Sequence, residues 1–181
     1  MIYEKNLTGR YVELRSADLD DAEFTLNIRR DPEFKNFFPN FTGTPETQKA
    51  WLKYQREKPG DYFFVIWDLK TNTRAGTISV YDIQGDECEG GRVAVRSKNP
   101  FHAVEAQLLA DEFAFKILGL KKVHAHVFAD NKRALNFSKL FENTFEPAEY
   151  DQDLKREIIH AYRTPQDFER AYKKISAMLY R

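Results

Sequence analysis

The chain has one cysteine, no long apolar run and no surplus of either charge. Cys88 has no partner for a disulfide within the chain, so a reducing compartment is expected. No apolar stretch reaches the roughly 20 residues of a membrane-spanning helix, and Met1–Glu4 does not resemble the start of a signal peptide. The 28 basic residues balance the 28 acidic ones, which argues against a general nucleic-acid-binding protein. We therefore expect a cytoplasmic protein with neither a membrane nor a nucleic-acid partner.

The sequence also contains no internal repeat, no low-complexity tract and no linker rich in proline and glycine. Its 181 residues include 15 Phe and 9 Tyr, and 42% of the chain is hydrophobic. This length and composition fit one folded domain with a substantial core, and they exclude the highly charged, weakly hydrophobic type of disordered chain. The prediction is a single domain over residues 1–181.

Apolar periodicity and helix-capping signals predict the element order β-α-α-β-β-β-α-β-α-β-β-α. The predicted strands cover about residues 10–15, 62–67, 75–81, 88–96, 122–128, 145–150 and 157–163. The predicted helices cover about residues 18–30, 45–57, 101–118, 131–142 and 165–180. A three-stranded meander followed by helix, strand and helix is typical of an α/β (α+β) domain. We expect a mixed, mostly antiparallel sheet of about six or seven strands with helices on both faces.

Short motifs between about residues 89 and 145 carry a resemblance to a known family. They are Glu89-Gly90-Gly91, Glu105-Ala106, Phe113-Ala114-Phe115, Leu118-Gly119-Leu120, Val123 to Val127 and Asn131 to Leu135. With these motifs the chain resembles the GNAT acyl-CoA N-acyltransferases. It is most similar to the branch of ribosomal-protein N-terminal and amino-sugar nucleotide acetyltransferases. The resemblance implies a GNAT fold, acetyl-CoA as acyl donor, no metal, and direct acetyl transfer to a primary amine.

The diphosphate of such a donor needs backbone N–H groups and positive charge, which a loop leading into a helix supplies. Arg96–Ala103 lies at such a point. Its candidate donor-binding residues are Arg96, Lys98, Asn99, Phe101, His102 and Ala103. Aligned with the family's loop, Lys98 and Ala103 keep the basic and the small residue, whereas Phe101 replaces a glycine. Pro100 also removes one N–H donor. The alternative interpretation is a charged, solvated turn before a buried helix.

Acyl transfer also needs a base for the amine and hydrogen-bond donors for the thioester oxygen. Glu89 is the candidate base, acting directly or through a water, since the resembled branch often has an acidic residue there. The alternative is an exposed carboxylate at a strand end. By the same resemblance, backbone amides near Val93 and Val95 hold the thioester carbonyl, because a bulged or splayed strand leaves N–H groups unpaired.

Asn131 is a natural N-cap for the helix that follows it. The resemblance implies that this residue also contacts the pantetheine arm of the donor. Many relatives place a tyrosine seven residues later to protonate the leaving thiolate, and Ser138 occupies that position here. Serine is a weaker acid, so water, Tyr81, Tyr162 or solvent is an alternative proton source, and impaired catalysis is another outcome.

An aromatic segment follows the first predicted helix and is a candidate for contact with the acceptor. Together with Tyr81, the candidate acceptor-contacting residues are Phe34, Phe37 and Phe38, with ordinary core packing as the alternative. The acceptor class stays open between an amino sugar, free or nucleotide-linked, and a protein N-terminus. Homodimer formation through the C-terminal strands or the last helix is a further expectation.

Two other sets of residues have weaker functional interpretations. His124 and His126 share one face of a predicted strand, which would suit a metal, although a structural role is the preferred interpretation. Cys88 has no assignable histidine partner that would make it a nucleophile. Because Phe101, Ser138 and the missing Gly-Phe after residue 141 depart from the family pattern, a non-catalytic module binding CoA or a protein partner is the competing hypothesis.

Overall fold

The computed structural model describes residues 1–37 and 43–180. Within these residues the strands are β1 (Leu7–Thr8), β2 (Val12–Ser16), β3 (Tyr62–Asp68), β4 (Thr73–Gln84), β5 (Glu87–Val95), β6 (Lys122–Phe128), β7 (Thr144–Phe145), β8 (Glu149–Asp151) and β9 (Arg156–Arg163). The α-helices of this part of the chain are α1 (Ala22–Arg30), α2 (Pro45–Glu57), α3 (Pro100–Glu112), α4 (Lys132–Lys139) and α5 (Pro165–Leu179). The described strands form one sheet in the order β1-β2-β3-β4-β5-β6-β9-β7, and β8 pairs with β9.

The sheet is mixed and mostly antiparallel, as the sequence predicted. Among the described strands, β5 and β6 form a parallel pair, and the other neighbours run antiparallel. Six of the seven predicted strands are β2 to β6 and β9. The seventh, predicted over 145–150, is divided into β7 and β8 around Pro147, which has no N–H to donate to a sheet ladder.

Helices cover both faces of the sheet, which confirms the predicted layer arrangement. Side chains alternate along β3, so Phe64 and Ile66 face one side while Phe63 and Val65 face the other. The first pair belongs to the main core, in which α3 packs on β2 and β4 and α5 packs on α3. The second pair belongs to a smaller core with Leu52 of α2. The central strands are therefore buried on both faces.

The helix starts confirm the capping signals in the sequence. Thr44 and Thr164 each begin a helix with a capping box, in which side chain and backbone bond reciprocally across the first turn. The helix predicted over 18–30 begins as a 3-10 turn, and the one predicted over 101–118 ends in a π-turn at Phe113–Ile117. Among the described residues, no helix is both long and apolar enough to cross a bilayer.

A buried carboxylate joins α3 to the first long strand of the sheet. Glu105, fully buried in α3, accepts hydrogen bonds from the backbone N–H groups of Arg10, Tyr11 and Val12 at 2.8, 2.6 and 2.8 Å. Oε1, which accepts from Arg10, also accepts from the Tyr180 hydroxyl at 3.1 Å. One side chain thus satisfies three backbone donors and connects α3, the start of β2 and the end of α5.

A buried ion pair joins the same helix to the other half of the sheet. Arg163 of β9 donates from Nε to Asp111 Oδ2 at 2.9 Å, and both side chains are nearly inaccessible to solvent. Gln107 donates to Asp111 at 2.8 Å, and Arg163 donates to Asn143 at 3.3 Å. A buried pair needs such extra hydrogen bonds to offset its desolvation. The pair fixes α3 beneath β9 and its neighbours.

We predict that Glu105→Gln destabilises the protein by about 3 kcal/mol, although the two side chains have nearly the same size. The amide presents an NH2 group to backbone N–H donors, so at least one buried donor loses its acceptor. Denaturant unfolding followed by circular dichroism measures the change. Glu112→Gln, on the same helix but partly solvent-exposed, is the control and should stay within about 0.5 kcal/mol of the parent. Equal stability of the two variants would contradict the role of Glu105.

Candidate active site between two diverging strands

A cleft opens where the two parallel strands of the sheet separate. The parallel ladder between β5 and β6 has three residue pairs and ends where Glu89 faces His124. β5 continues to Val95 and β6 continues to Phe128, but in the described ladder these later residues do not pair with each other. β6 instead remains paired with β9 along its length. The edge of β5 that faces β6 is therefore open beyond Glu89.

A β-bulge bends β5 directly beyond the end of that ladder. On β4, Thr77 faces Ala94 and Ser79 faces Gly91, so β5 contains one extra residue in this interval. Arg92 lies there in the left-handed region, with φ of 52°, and its carbonyl accepts from the Thr77 hydroxyl at 2.9 Å. Such bulges bend a strand and leave the extra residue unpaired. The bulge accounts for the divergence of β5 from β6.

The bulge also determines which backbone donors face the cleft. The Arg96 N–H donates to the Ala75 carbonyl of the β4 side at 2.7 Å. Because N–H groups alternate in direction along a strand, the Val95 N–H points the opposite way, toward the cleft. Val93 lies at the bulge itself and its side chain is exposed. The two amides predicted from the family resemblance are thus near the open edge of β5.

Glu89 lies at the closed end of the cleft. Its side chain is 20% exposed, and its Oε2 atom is 3.7 Å from Nδ1 of His126. Burial raises the pKa of Glu89 above the ordinary glutamate value, and the nearby His126 partly opposes this shift. Glu89 is thus a half-buried carboxylate beside an imidazole, not a fully solvated carboxylate at a strand end.

Tyr81 faces Glu89 across the β4–β5 ladder. The Arg92 guanidinium lies over the Tyr81 ring at 4.0 Å, and Asp61 holds that guanidinium with two bonds of 2.7 and 3.1 Å. Burial and the Glu89 charge raise the pKa of the Tyr81 hydroxyl. Tyr81 is therefore protonated at neutral pH, so it can donate a hydrogen bond but is a poor base.

Arg92 and Asp61, which flank Tyr81 in this part of the cleft, are not predicted by the sequence. The two residues are 31 positions apart, and no local pattern links them. The neighbouring Gly90-Gly91 pair was the available signal. At Gly91 an added Cβ would approach the Tyr81 hydroxyl to 3.2 Å, and at Gly90 it would approach Val123 to 2.8 Å. The glycine pair thus allows close packing at the point where the strands separate.

The strand histidines are paired with carboxylates. His124 Nε2 lies 2.6 Å from Glu87 Oε2, and the ring of His126 meets that of His160 at a centroid distance of 4.5 Å. Within residues 1–37 and 43–180, no group of three or more His, Cys, Asp or Glu side chains is arranged to hold a metal ion. The imidazoles of His124 and His126 thus each lie near a carboxylate or an aromatic ring of the protein.

The turn that leads into α3 uses several of its own hydrogen-bond donors. Asn99 is the N-cap, and its side chain accepts from the Phe101 N–H at 3.0 Å. The His102 N–H donates to the Asn99 carbonyl at 3.2 Å, and the Asn99 N–H donates to Ser97 Oγ at 3.0 Å. Pro100 has no N–H to offer. Few backbone donors of this turn are left for a diphosphate in the observed conformation.

The side chains of the same turn point in different directions. Arg96 and Lys98 are exposed at the surface. His102 is instead buried, with its Nε2 atom 4.0 Å from Asp68 and its Nδ1 atom without a hydrogen-bond partner. Phe101 packs against the main core. The structure thus leaves two of the three predicted basic side chains exposed, with Arg96 Nε 3.5 Å from Asp31, and turns His102 inward.

The remaining donor-side candidates lie on two helices. Asn131 caps α4, with its side-chain oxygen accepting from the Ala134 N–H at 3.1 Å, as predicted for this residue. Ser138 is half-buried in the last turn of α4, and its carbonyl accepts from Asn143 at 2.7 Å. Ala103 lies half-buried in the first turn of α3.

The predicted aromatic segment is only partly among the described residues. Phe34 is half-buried, Phe37 is exposed, and Phe38 lies outside the described residues. The neighbouring Asn36 carbonyl accepts from Arg156 of β9 at 2.6 Å. Arg156 also donates to Asp130, directly after β6, at 2.8 and 2.7 Å. The segment after α1 is thus attached to the β6–β9 side of the cleft.

Comparison with known proteins identifies the family. A family model described as an acetyltransferase (GNAT) domain matches residues 12–139, which is more than half of the chain. The chain therefore belongs to the GNAT acetyltransferases, as its motifs predicted. No curated protein matches it significantly in sequence.

Solved structures of other GNAT proteins share the fold. Apo FdhC, described as a nucleotide-linked sugar GNAT, is 22% identical with a TM-score of 0.80, covering 95% of this chain and 97% of its own. A GCN5-related N-acetyltransferase from Brucella melitensis is 18% identical with a TM-score of 0.80. The match covers 97% of this chain and 85% of the Brucella chain. Spermidine N-acetyltransferase from Vibrio cholerae, solved with CoA and spermine, is 16% identical with a TM-score of 0.76. The match covers 88% of this chain and 98% of the Vibrio chain. These likenesses confirm the GNAT fold.

We predict that Cys88 in the native protein reacts very slowly with iodoacetamide at pH 7.5. The thiol is buried, and burial raises its pKa to about 12, so almost none is present as the reactive thiolate. Mass spectrometry of the native and the urea-unfolded chain measures the labelling. Labelling of the native chain as fast as that of the unfolded chain would contradict this account and reopen Cys88 as a nucleophile.

Proposed function

We propose that this protein is an N-acetyltransferase that moves an acetyl group from acetyl-CoA directly to a primary amine. Membership of the GNAT acetyltransferases supports this class of reaction. The observation that carries the proposal for this chain is the cleft between β5 and β6, with a half-buried glutamate at its closed end and unpaired amides on its edge.

The donor half of the site follows from the open edge of β5. The pantetheine arm of acetyl-CoA fits as an extended segment beside this edge, where backbone donors have no strand partner. The Val93 and Val95 amides then donate to the thioester oxygen, which gains negative charge during transfer. Asn131 at the start of α4 supplies a further polar contact to the arm.

The diphosphate is proposed to bind at the turn Arg96–Ala103. Arg96 and Lys98 supply positive charge there, and the N-terminus of α3 adds its partial positive charge. Because the N–H groups of Phe101 and His102 bond within the turn, this site depends more on side-chain charge than the glycine-containing loop of relatives does. Binding should therefore weaken markedly as the salt concentration rises.

The acceptor half of the site centres on Glu89. Its carboxylate takes a proton from the acceptor ammonium, directly or through a water, so that the neutral amine attacks the thioester carbon. A raised pKa brings this carboxyl closer to the working pH, which favours a general base. The leaving thiolate takes its proton from Ser138, from the Tyr81 hydroxyl or from water.

The acceptor is proposed to be an amino sugar, a sugar nucleotide or a protein N-terminus. Tyr81 faces Glu89 across the β4–β5 ladder, and we propose that it contacts the acceptor near the reacting amine. Phe34, Phe37 and Phe38 are proposed to contact the rest of the acceptor. The Asn36 carbonyl, between the first two of them, accepts from Arg156 of β9, which supports this for Phe34 and Phe37.

A non-catalytic module that binds CoA or a protein partner is the second candidate. The hydrogen bonds within the Asn99 turn favour it, because they engage donors that would otherwise hold a diphosphate. Phe101 and Ser138, which replace the family's glycine and tyrosine, also favour a non-catalytic module. Calorimetry with CoA, combined with a turnover assay, distinguishes the two functions.

We predict that Glu89→Gln lowers the turnover of acetyl-CoA by a factor of about 10² to 10⁴, the usual contribution of a general base. Calorimetric affinity for CoA should stay unchanged, because Glu89 lies on the acceptor side. The assay follows free thiol released in the presence of a panel of amino sugars, sugar nucleotides and peptides. Glu87→Gln, two residues earlier on the same strand, is the matched control and should retain the parent rate.

Three results would decide against parts of the proposal. The absence of any CoA binding would refute both the enzyme and the proposed diphosphate turn. CoA binding without turnover of any amine would establish the binding module instead. Full activity of Glu89→Gln would remove Glu89 as the base while leaving the transferase class intact.

A further inference from the structure

The carboxylate at the closed end of the cleft is the first of three titratable groups in a row. Glu89 Oε2 lies 3.7 Å from His126 Nδ1, and the His126 ring meets the His160 ring edge-on at 4.5 Å. The two histidines face each other in the β6–β9 ladder, so the sheet itself fixes their separation. Glu89 is 20% exposed, whereas 47% of the His126 side chain reaches solvent. The row therefore leads from a half-buried group to the surface.

Acetyl transfer to an ammonium group releases a proton, and a row of titratable groups can carry that proton to solvent. The acceptor ammonium loses two protons as its nitrogen becomes an amide nitrogen, and the leaving thiolate takes up one of them. One proton per turnover must therefore leave the site through the base. With the acceptor in place, direct exchange between a half-buried carboxylate and bulk water is restricted.

We propose that His126 relays the proton from Glu89 to solvent, directly or through His160. This inference rests on the proposed acetyltransferase function. The proton moves from Glu89 Oε2 to His126 Nδ1, and His126 then releases its Nε2 proton to water, so protons balance. The separation of 3.7 Å is slightly longer than a hydrogen bond, and catalytic contacts often shorten to hydrogen-bond length only when substrate binds. His126 acts through Glu89 and is a positioning residue rather than a group that touches substrate.

The other groups around Glu89 do not serve this role. From β4, Tyr81 stays protonated, and the Asp82 charge opposes ionisation of Glu89. From β6, His124 is held by Glu87 at 2.6 Å, so its imidazole already has a carboxylate partner. His160 of β9 contributes a weaker electrostatic effect on Glu89 than His126 does. Among the described neighbours of Glu89, His126 combines proximity with access to solvent.

The test compares His126→Gln with His124→Gln, a variant of the same strand and face. We expect His126→Gln to lower kcat about tenfold or more while KM for acetyl-CoA stays unchanged. The acidic limb of the pH–rate profile should move to higher pH, because a carboxylate without its cationic neighbour is protonated more easily. Added imidazole should restore much of the rate of His126→Gln, whereas His124→Gln should keep the parent rate.

Each contrary outcome has a distinct meaning. If Glu89→Gln is inactive but His126→Gln keeps the parent rate and pH profile, the relay is refuted and the proposed function stands. Loss of rate without imidazole rescue and with an unshifted profile also refutes the relay, since a purely structural effect behaves in this way. If the parent protein turns over no amine under any condition, the proposed function fails and the relay fails with it.

Discussion

The parallel ladder between β5 and β6 ends after three residue pairs, and the features of the cleft depend on that early end. In a fully paired sheet, the β5 amides beyond Glu89 would donate to β6. Here they face a cleft, and a backbone donor left without an acceptor costs about 1–3 kcal/mol if it is also kept from water. A ligand with carbonyl oxygens, aligned along the strand, removes that cost. The same divergence that opens the sheet thus makes its edge a binding surface.

Two constraints hold the strands apart. The bulge at Arg92 bends β5, and that residue is fixed in its left-handed conformation by Asp61, Thr77 and the Tyr81 ring. On the other side, β6 is fully engaged with β9, which the buried pair of Arg163 and Asp111 anchors to α3. Both constraints come from residues of the chain itself, so the fold alone opens the cleft.

Much of the fold could be predicted from local sequence, whereas the site could be predicted only in outline. The Thr44 and Thr164 caps and the strand Lys122–Phe128 have local signals, and the structure has them where the sequence placed them. Motif spacing singles out Glu89 as a candidate, but neither the left-handed Arg92 nor its bond to Asp61 has a local pattern. The inward turn of His102 is set by packing near Asp68, which the charge pattern of its own loop does not reveal.

The charges of the chain balance overall, but the two sides of the proposed site carry different charged groups. Exposed Arg96 and Lys98 lie on the proposed donor side, while Glu89 and His126 lie on the proposed acceptor side. The most direct test of this account is a crystal structure with CoA. The account predicts the pantetheine arm between β5 and β6, hydrogen-bonded to the Val95 amide, with its thiol near Glu89. CoA bound elsewhere, with the cleft between these strands empty, would contradict it.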